Sequence, residues 1–266
     1  MQERLDAILD RGPAGVRWSV CLRDGVSTPA ERAADDVLGT ASIGKLLLLA
    51  EVARRDPSSL DRRVARCDAV PVADSGIWQH LRVDELSVHD LAVLVAATSD
   101  NLATNALIAH VGLDAVAACG RDLGLRRTSL LDVVRGFRDD TVPEQLSCGS
   151  ARELAGFMAA VAAGQLVDAS VSARLAGWLA LNTDLSMVAS AFALDPLAHT
   201  ARDEPGVRLF NKTGTNSGVR GDVGHVSGAG GSMSYAVLAN VIDPALHPHV
   251  LATMREVGDL LVDRVG

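Results

Sequence analysis

Three short strings combine side chains that can move protons or attack a carbonyl. Ser42-Ile43-Gly44-Lys45 opens an apolar segment with helical character. A serine and a lysine three apart on a helix share a face, so the amine can reach the hydroxyl and act as its base. The start of that helix also offers free backbone N–H groups and a positive field to a developing oxyanion. Ser99-Asp100-Asn101 falls between two helical segments. All three residue types are favoured helix caps, and the same string supplies a hydroxyl to relay a proton and an amide to anchor a substrate carbonyl. Lys212-Thr213-Gly214-Thr215 ends a segment that alternates like a strand. Its glycine would let a substrate lie along the strand edge, and the Thr215 N–H could be a second oxyanion donor. Singly, each string has an ordinary explanation as a chance spacing, a helix cap or a turn. One count argues for reading them together. Lysine and arginine total 25, yet only Lys45 and Lys212 are lysine, and both fall in these strings. Arginine does not titrate, whereas an amine can.

The elements that must position these residues follow from periodicity. Residues 2–10 form an amphipathic helix, with acids among the first six, and no signal sequence is read there. Residues 15–23 alternate like a strand, and 31–38 more weakly. From Ser42 the chain turns helical, and the run Ile43 to Val52 is too apolar for a surface helix, so it is expected to be buried on nearly every side. Helical segments continue over 88–97, 102–110, 113–123, 151–163 and 169–181. The interval 130–148 reads as a long loop, and long loops inside compact domains usually carry function. Three strands over 207–213, 219–226 and 232–241 follow, and a final helix over 249–265 puts Val250, Met254, Val257 and Leu261 on one face. The order predicts an α+β fold. An antiparallel sheet made by residues 1–39 and 205–266 is flanked by the terminal helices, and an all-helical lobe from 40–204 is inserted between.

With all three strings in the order Ser-x-x-Lys, Ser-Asp-Asn, Lys-Thr-Gly, the chain resembles the class A β-lactamase-like serine hydrolases, a branch of the penicillin-recognising enzymes. The resemblance runs over nearly the whole length. Leu86-Ser-Val-His-Asp-Leu leads into Thr98-Ser-Asp-Asn-Leu-Ala-Thr-Asn as in the family, and Asp122-Leu-Gly-Leu-Arg-Arg-Thr is similar to the helix end before its omega loop. Asp74-Ser-Gly-Ile-Trp-Gln-His-Leu is similar to a cleft-lining segment of some relatives. The resemblance implies a two-lobed fold with the site between the lobes. It implies Ser42 as the acylated nucleophile, Lys45 as its base and Ser99 as the shuttle to the leaving nitrogen, with Lys212 across the cleft. Asn101, Thr213, Gly214, Thr215 and Arg220 would bind substrate, with the N–H groups of Ser42 and Thr215 as the oxyanion hole. Two facing amines cannot both stay charged cheaply, and Lys45 is the one expected to lose its proton. An anionic small molecule is the expected substrate, and no cofactor or metal is implied.

The chain departs from that pattern in one place. The family's omega-loop glutamate, which activates the water that frees the acyl group, has no counterpart shortly after Leu131-Asp132. Glu144 comes late, and Asp139 and Asp140 could substitute only in a refolded loop. Acylation with poor release is therefore expected; the alternatives are an esterase or acyltransferase for a non-lactam substrate, or a non-catalytic binding module on the same scaffold. Composition removes other classes. A net charge of −8 disfavours nucleic-acid and membrane-surface binding. The longest apolar run, 154–167, is shorter than the roughly 20 residues a membrane span needs. Cys21, Cys67, Cys119 and Cys148 have no paired spacing, so reduced thiols and a cytoplasmic location are expected. His247-Pro-His249 does not make a zinc motif, and Thr40-Ala-Ser42-Ile-Gly44 lacks the first glycine of a nucleophile elbow.

Overall fold

The alternating segments at the two chain ends build one antiparallel sheet. In the computed structural model, which describes residues 1–25, 27–73, 75–200 and 206–266, β1 (Val16–Asp24) pairs with β2 (Ser27–Arg32) on one side and β10 (Gly231–Val241) on the other. β9 (Val219–Gly228) and β8 (Arg208–Asn216) complete the order β2-β1-β10-β9-β8, with Thr213 opposite Asp222 and Gly214 opposite Gly221. β8 is an edge strand, so alternate backbone N–H and C=O groups of its outer side are left for whatever packs beside it.

Both faces of the sheet are covered. Helix α1 (Gln2–Arg11) buries Leu5, Ile8 and Leu9, and α8 (His247–Val265) buries the expected stripe Val250, Met254, Val257 and Leu261. These two pack together on one face, and α6 (Ala151–Ala162) lies against the other. Beyond α6, helix α2 (Lys45–Ala53) forms the axis of the helical lobe, surrounded by α3 (Val88–Thr98), α4 (Asn101–Val111), α5 (Leu113–Asp122) and α7 (Ala169–Leu179). All nine residues of α2 are buried, Lys45 among them, as its uniformly apolar sequence requires.

The sequence expectation differs from the structure in three details. The weak strand over 31–38 is two pieces, the end of β2 and then β3 (Val37–Gly39), because Ala33 adopts a left-handed φ of 46° that breaks the extended path. The inserted segment also carries short strands, β4 (Arg63–Ala65), β5 (Glu85–Ser87), β6 (Ser129–Leu130) and β7 (Ser147–Ser150). Finally, Leu185, Met187, Val188, Ala189 and Leu194 join the core on the α1/α8 side of the sheet. No single helix among the described residues is long and apolar enough to cross a membrane, and the four cysteines are free thiols.

Candidate active site

Ser42 sits on a 3-10 turn, Ala41–Gly44, and Lys45 is the first residue of α2. With three residues per turn, positions three apart lie on the same side, which puts Lys45 on the face of the turn that bears Ser42, while its hydrogen bonds go to Ser99 and Asn101. The turn is held from outside by β7. The Ser147 hydroxyl donates to the Ala41 carbonyl at 2.5 Å and lies 2.7 Å from the Thr40 hydroxyl, and the Thr40 N–H donates to the Ser147 carbonyl. Gly44 is required for this contact, since a Cβ there would fall 2.3 Å from the Cβ of Ser147. Ala41, just before the serine, has φ of 48°, and Ser99 has φ of 55°. Left-handed backbone costs a non-glycine residue about 1–2 kcal/mol, and such strain gathers where surrounding contacts impose a geometry.

Lys45 and the Ser99-Asp100-Asn101 segment form one hydrogen-bonded unit. The Lys45 amine nitrogen lies 2.6 Å from the Ser99 carbonyl oxygen, 3.2 Å from the Ser99 hydroxyl and 2.7 Å from Asn101 Oδ1. Asn101 thus serves the amine with its carbonyl oxygen. Asp100 is the cap the sequence anticipates, accepting from the Ala103 N–H at 2.9 Å, and it does more. Its second oxygen accepts from the Ile77 and Trp78 N–H groups at 2.7 and 2.8 Å, fastening residues 75–78 to the start of α4. Ser75 donates to the Ser99 carbonyl at 3.1 Å. Asp74, the first residue of that cleft-lining string, lies outside the described residues.

Lys212 is fully buried in β8, its amine donating to the Thr213 carbonyl at 2.9 Å. Burial pulls it down to about 8, offset in part by Asp184 and Asp222. Burial holds Lys45 well below the usual lysine range; the nearby charge of Lys212 adds to this, and Asp100 opposes it. Both amines are therefore less basic than a free lysine. Asp222 is itself pushed up to about 7 by burial. It is held by Asn211 at 2.9 Å, by the Tyr235 hydroxyl at 3.2 Å and by the Ala189 N–H at 3.2 Å, and Asn182 donates to Asn211 at 2.8 Å.

Ser42, Ser99, Thr213 and Thr215 line one cavity of about 320 Å³. Gly214 also has a packing task. A Cβ there would meet the Thr40 carbonyl oxygen at 2.2 Å and the Ile43 nitrogen at 3.2 Å, so the glycine lets β8 press against the turn that bears the serine. Gly214→Ala should therefore part the strand from the turn, destabilising the protein by about 1–3 kcal/mol and slowing any acylation of Ser42. Chemical denaturation together with an acylation assay checks this, and wild-type values in both would contradict it. Arg220 is not among the cavity residues. Its guanidinium donates to the Asn216 and Val219 carbonyls at 2.5 and 2.7 Å and to His247 Nδ1 at 2.9 Å, which also accounts for one of the two histidines of the His-Pro-His string.

A profile of the beta-lactamase enzyme family matches residues 1–265. The chain belongs to the beta-lactamase enzyme family. No curated protein matches it significantly. Among solved structures, a beta-lactamase from Sphaerobacter thermophilus is similar at 24% identity and a TM-score of 0.77, covering 97% of this chain and 94% of that one. A class A beta-lactamase from Mycobacterium abscessus is similar at 22% identity and a TM-score of 0.75, covering 97% and 98%. PBP-A is similar at 19% identity and a TM-score of 0.76, covering 99% and 97%. These likenesses establish the same mixed α and β fold, and the family makes this protein a β-lactamase-like serine hydrolase.

Within this β-lactamase-family site, two features escaped the sequence reading. Asn182, Thr183 and Asp184, just past α7, form part of the cavity wall, pinned there by the Thr183 N–H and hydroxyl donating to the Ala97 carbonyl at 3.0 and 3.1 Å. The only local signal is a polar triplet after an apolar helix, which reads as any helix end. The second concerns the loop 130–148. Asp132 anchors it internally, accepting from Arg135 at 2.7 Å and from Arg138 at 2.9 Å, and Asp139 is bonded to Thr141. Asp139, Asp140 and Glu144 are exposed, and no residue of the loop lines the Ser42 cavity. Asn105, one turn beyond Asn101 on α4, clamps both the N–H and the carbonyl of Val134 at 2.8 and 2.9 Å. The loop is thus fastened to α4 through an apolar residue, and its carboxylates stay outside the cavity.

Proposed function

We propose that this β-lactamase-family hydrolase forms an acyl-enzyme on Ser42 with a β-lactam or a related amide or ester, and releases it slowly. The observation that carries the proposal is the unit of Lys45, Ser99 and Asn101, assembled around a buried amine of depressed basicity beside the Ser42 cavity. A neutral Lys45 takes the Ser42 proton as the hydroxyl oxygen attacks the carbonyl carbon. The carbon–nitrogen bond then breaks, and Ser99 passes the proton to the departing nitrogen. The Ser42 and Thr215 N–H groups receive the oxyanion, and a substrate carboxylate lies along Thr213 and Thr215 beside Lys212. Hydrolysis of the ester requires a base to activate water, worth about 10²–10⁴ in rate. The absence of loop carboxylates from the cavity supports slow release.

Incubation with benzylpenicillin or a fluorogenic ester, followed by intact mass, tests this. A persistent adduct on Ser42 that Ser42→Ala lacks is expected. Rapid turnover without adduct would refute slow release, and silence with every acyl donor would leave a non-catalytic scaffold. The pH dependence follows from Lys212. Its amine is charged below about 8 and neutral above, so acylation should decline as the pH rises through about 8. Lys212→Met should be slow throughout and lack that limb. A wild-type rate constant that stays level to high pH would contradict the role of Lys212.

A further inference from the structure

The charges around the cavity are arranged unequally. Lys45 and Lys212 are 0% exposed, each committed to hydrogen bonds beneath the floor. Arg220 is turned to His247 and two carbonyls of its own hairpin. Among the described residues that line the cavity, Asp184 alone is charged, and it is half-buried in the wall. One of its oxygens is fixed by the Ser186 hydroxyl at 2.6 Å and N–H at 3.2 Å, while the other accepts no hydrogen bond from the described residues. A carboxylate pinned at one oxygen has a set direction, and its second oxygen is available to a ligand. Asp184 shares the cavity wall with Thr213 and Thr215 of β8, the strand that would receive a substrate carboxylate, and it acts electrostatically on Lys212 and Arg220.

We infer that Asp184 is a specificity-determining residue that selects acyl donors carrying a cationic group next to their carboxylate, and disfavours donors whose only charge is negative. The inference rests on the acyl-serine reading of this cavity and refines it, since the preferred substrate is a zwitterion. A purely anionic donor faces this acid in the cavity wall, whereas the two amines are buried and do not line it. A neighbouring cation on the donor cancels that repulsion and pairs with the free oxygen.

The test compares cephaloridine with cephalothin, which share an acyl side chain and nucleus but carry a pyridinium or an acetoxy group beside the carboxylate. Second-order rate constants for acylation of Ser42, read by intact mass, give a cephaloridine-to-cephalothin ratio. That ratio should fall about three- to tenfold in Asp184→Asn and return in Asp184→Glu. In the wild-type protein it should also shrink as salt is raised, a readout that needs no variant to fold. Ampicillin and benzylpenicillin, which differ by an ammonium at the far side chain, should keep their relative rates in all three proteins. An unchanged cephalosporin ratio in Asp184→Asn, or one indifferent to salt, overturns the inference while acylation itself stands. Absence of any adduct in the wild-type protein removes the acyl-serine reading and this inference together.

Discussion

Lys45→Met should cut the rate constant for acylation of Ser42 by about 10²–10⁴ while leaving the protein folded. Methionine matches the length of the lysine stem and fills the same space in α2, whose nine residues are all buried. The variant loses three hydrogen bonds, to the Ser99 carbonyl, the Ser99 hydroxyl and Asn101. Against this, it removes an amine that burial and Lys212 already disfavour as a cation. The Ser99 carbonyl keeps the Ser75 hydroxyl as a donor, so it is not orphaned. The loss should therefore appear in the chemistry far more than in the stability. Lys45→Arg separates charge from basicity. It keeps a cation but cannot act as a base near neutral pH, and should be as slow as the methionine variant. Stopped-flow or timed intact-mass measurements with benzylpenicillin give the rates. Acylation within tenfold of wild type in either variant would mean that another group deprotonates Ser42.

Asp100→Ala should produce the largest loss of stability, about 3–5 kcal/mol. One buried carboxylate satisfies three backbone donors, Ala103 on α4 and Ile77 and Trp78 on the facing loop. Removing the acceptor strands three N–H groups, each costing about 1–3 kcal/mol when buried without a partner. Gly76 shows how tight the contact is, because a Cβ there would fall 2.3 Å from the Asp100 carboxyl carbon. For a chain of this size the loss corresponds to roughly 10 °C in melting temperature. Asp100→Asn retains an acceptor and should lose less than half as much. Acylation should suffer as well, since Ser75 and the cavity wall depend on that loop. Unfolding by denaturant provides the check, and a loss below about 1 kcal/mol would show that water or a backbone shift rescues the donors.

The fold was legible where the chain repeats a period over many residues. Alternation over 207–213, 219–226 and 232–241 corresponds to β8, β9 and β10, and the uniformly apolar run after Ser42 announced a helix buried on all sides. Short elements escaped. β4 and β5 span three residues each and exist because they pair with one another, and the break at Ala33 is imposed on a residue with no local preference for it. A three-residue strand carries too little alternation to stand out, since its extended shape comes from a partner some twenty residues away.

By itself the sequence determined which side chains could take part. The two lysines, the paired serines and Asn101 lie in strings whose residue types are legible one by one, and the order of helices and strands around them pointed to a mixed α and β fold with an antiparallel sheet. Only the tertiary structure decided what each does there. Packing puts Asn101 on the amine, sets Gly214 against the serine turn and directs Arg220 to His247. It also brings Asp184 into the wall, fastens Val134 to Asn105 and leaves the loop carboxylates outside the cavity. Local residue types set the capacity to donate, accept or ionise. Which partner is met, and how much water remains around the group, depends on chain segments up to two hundred residues away, whose approach no local pattern encodes.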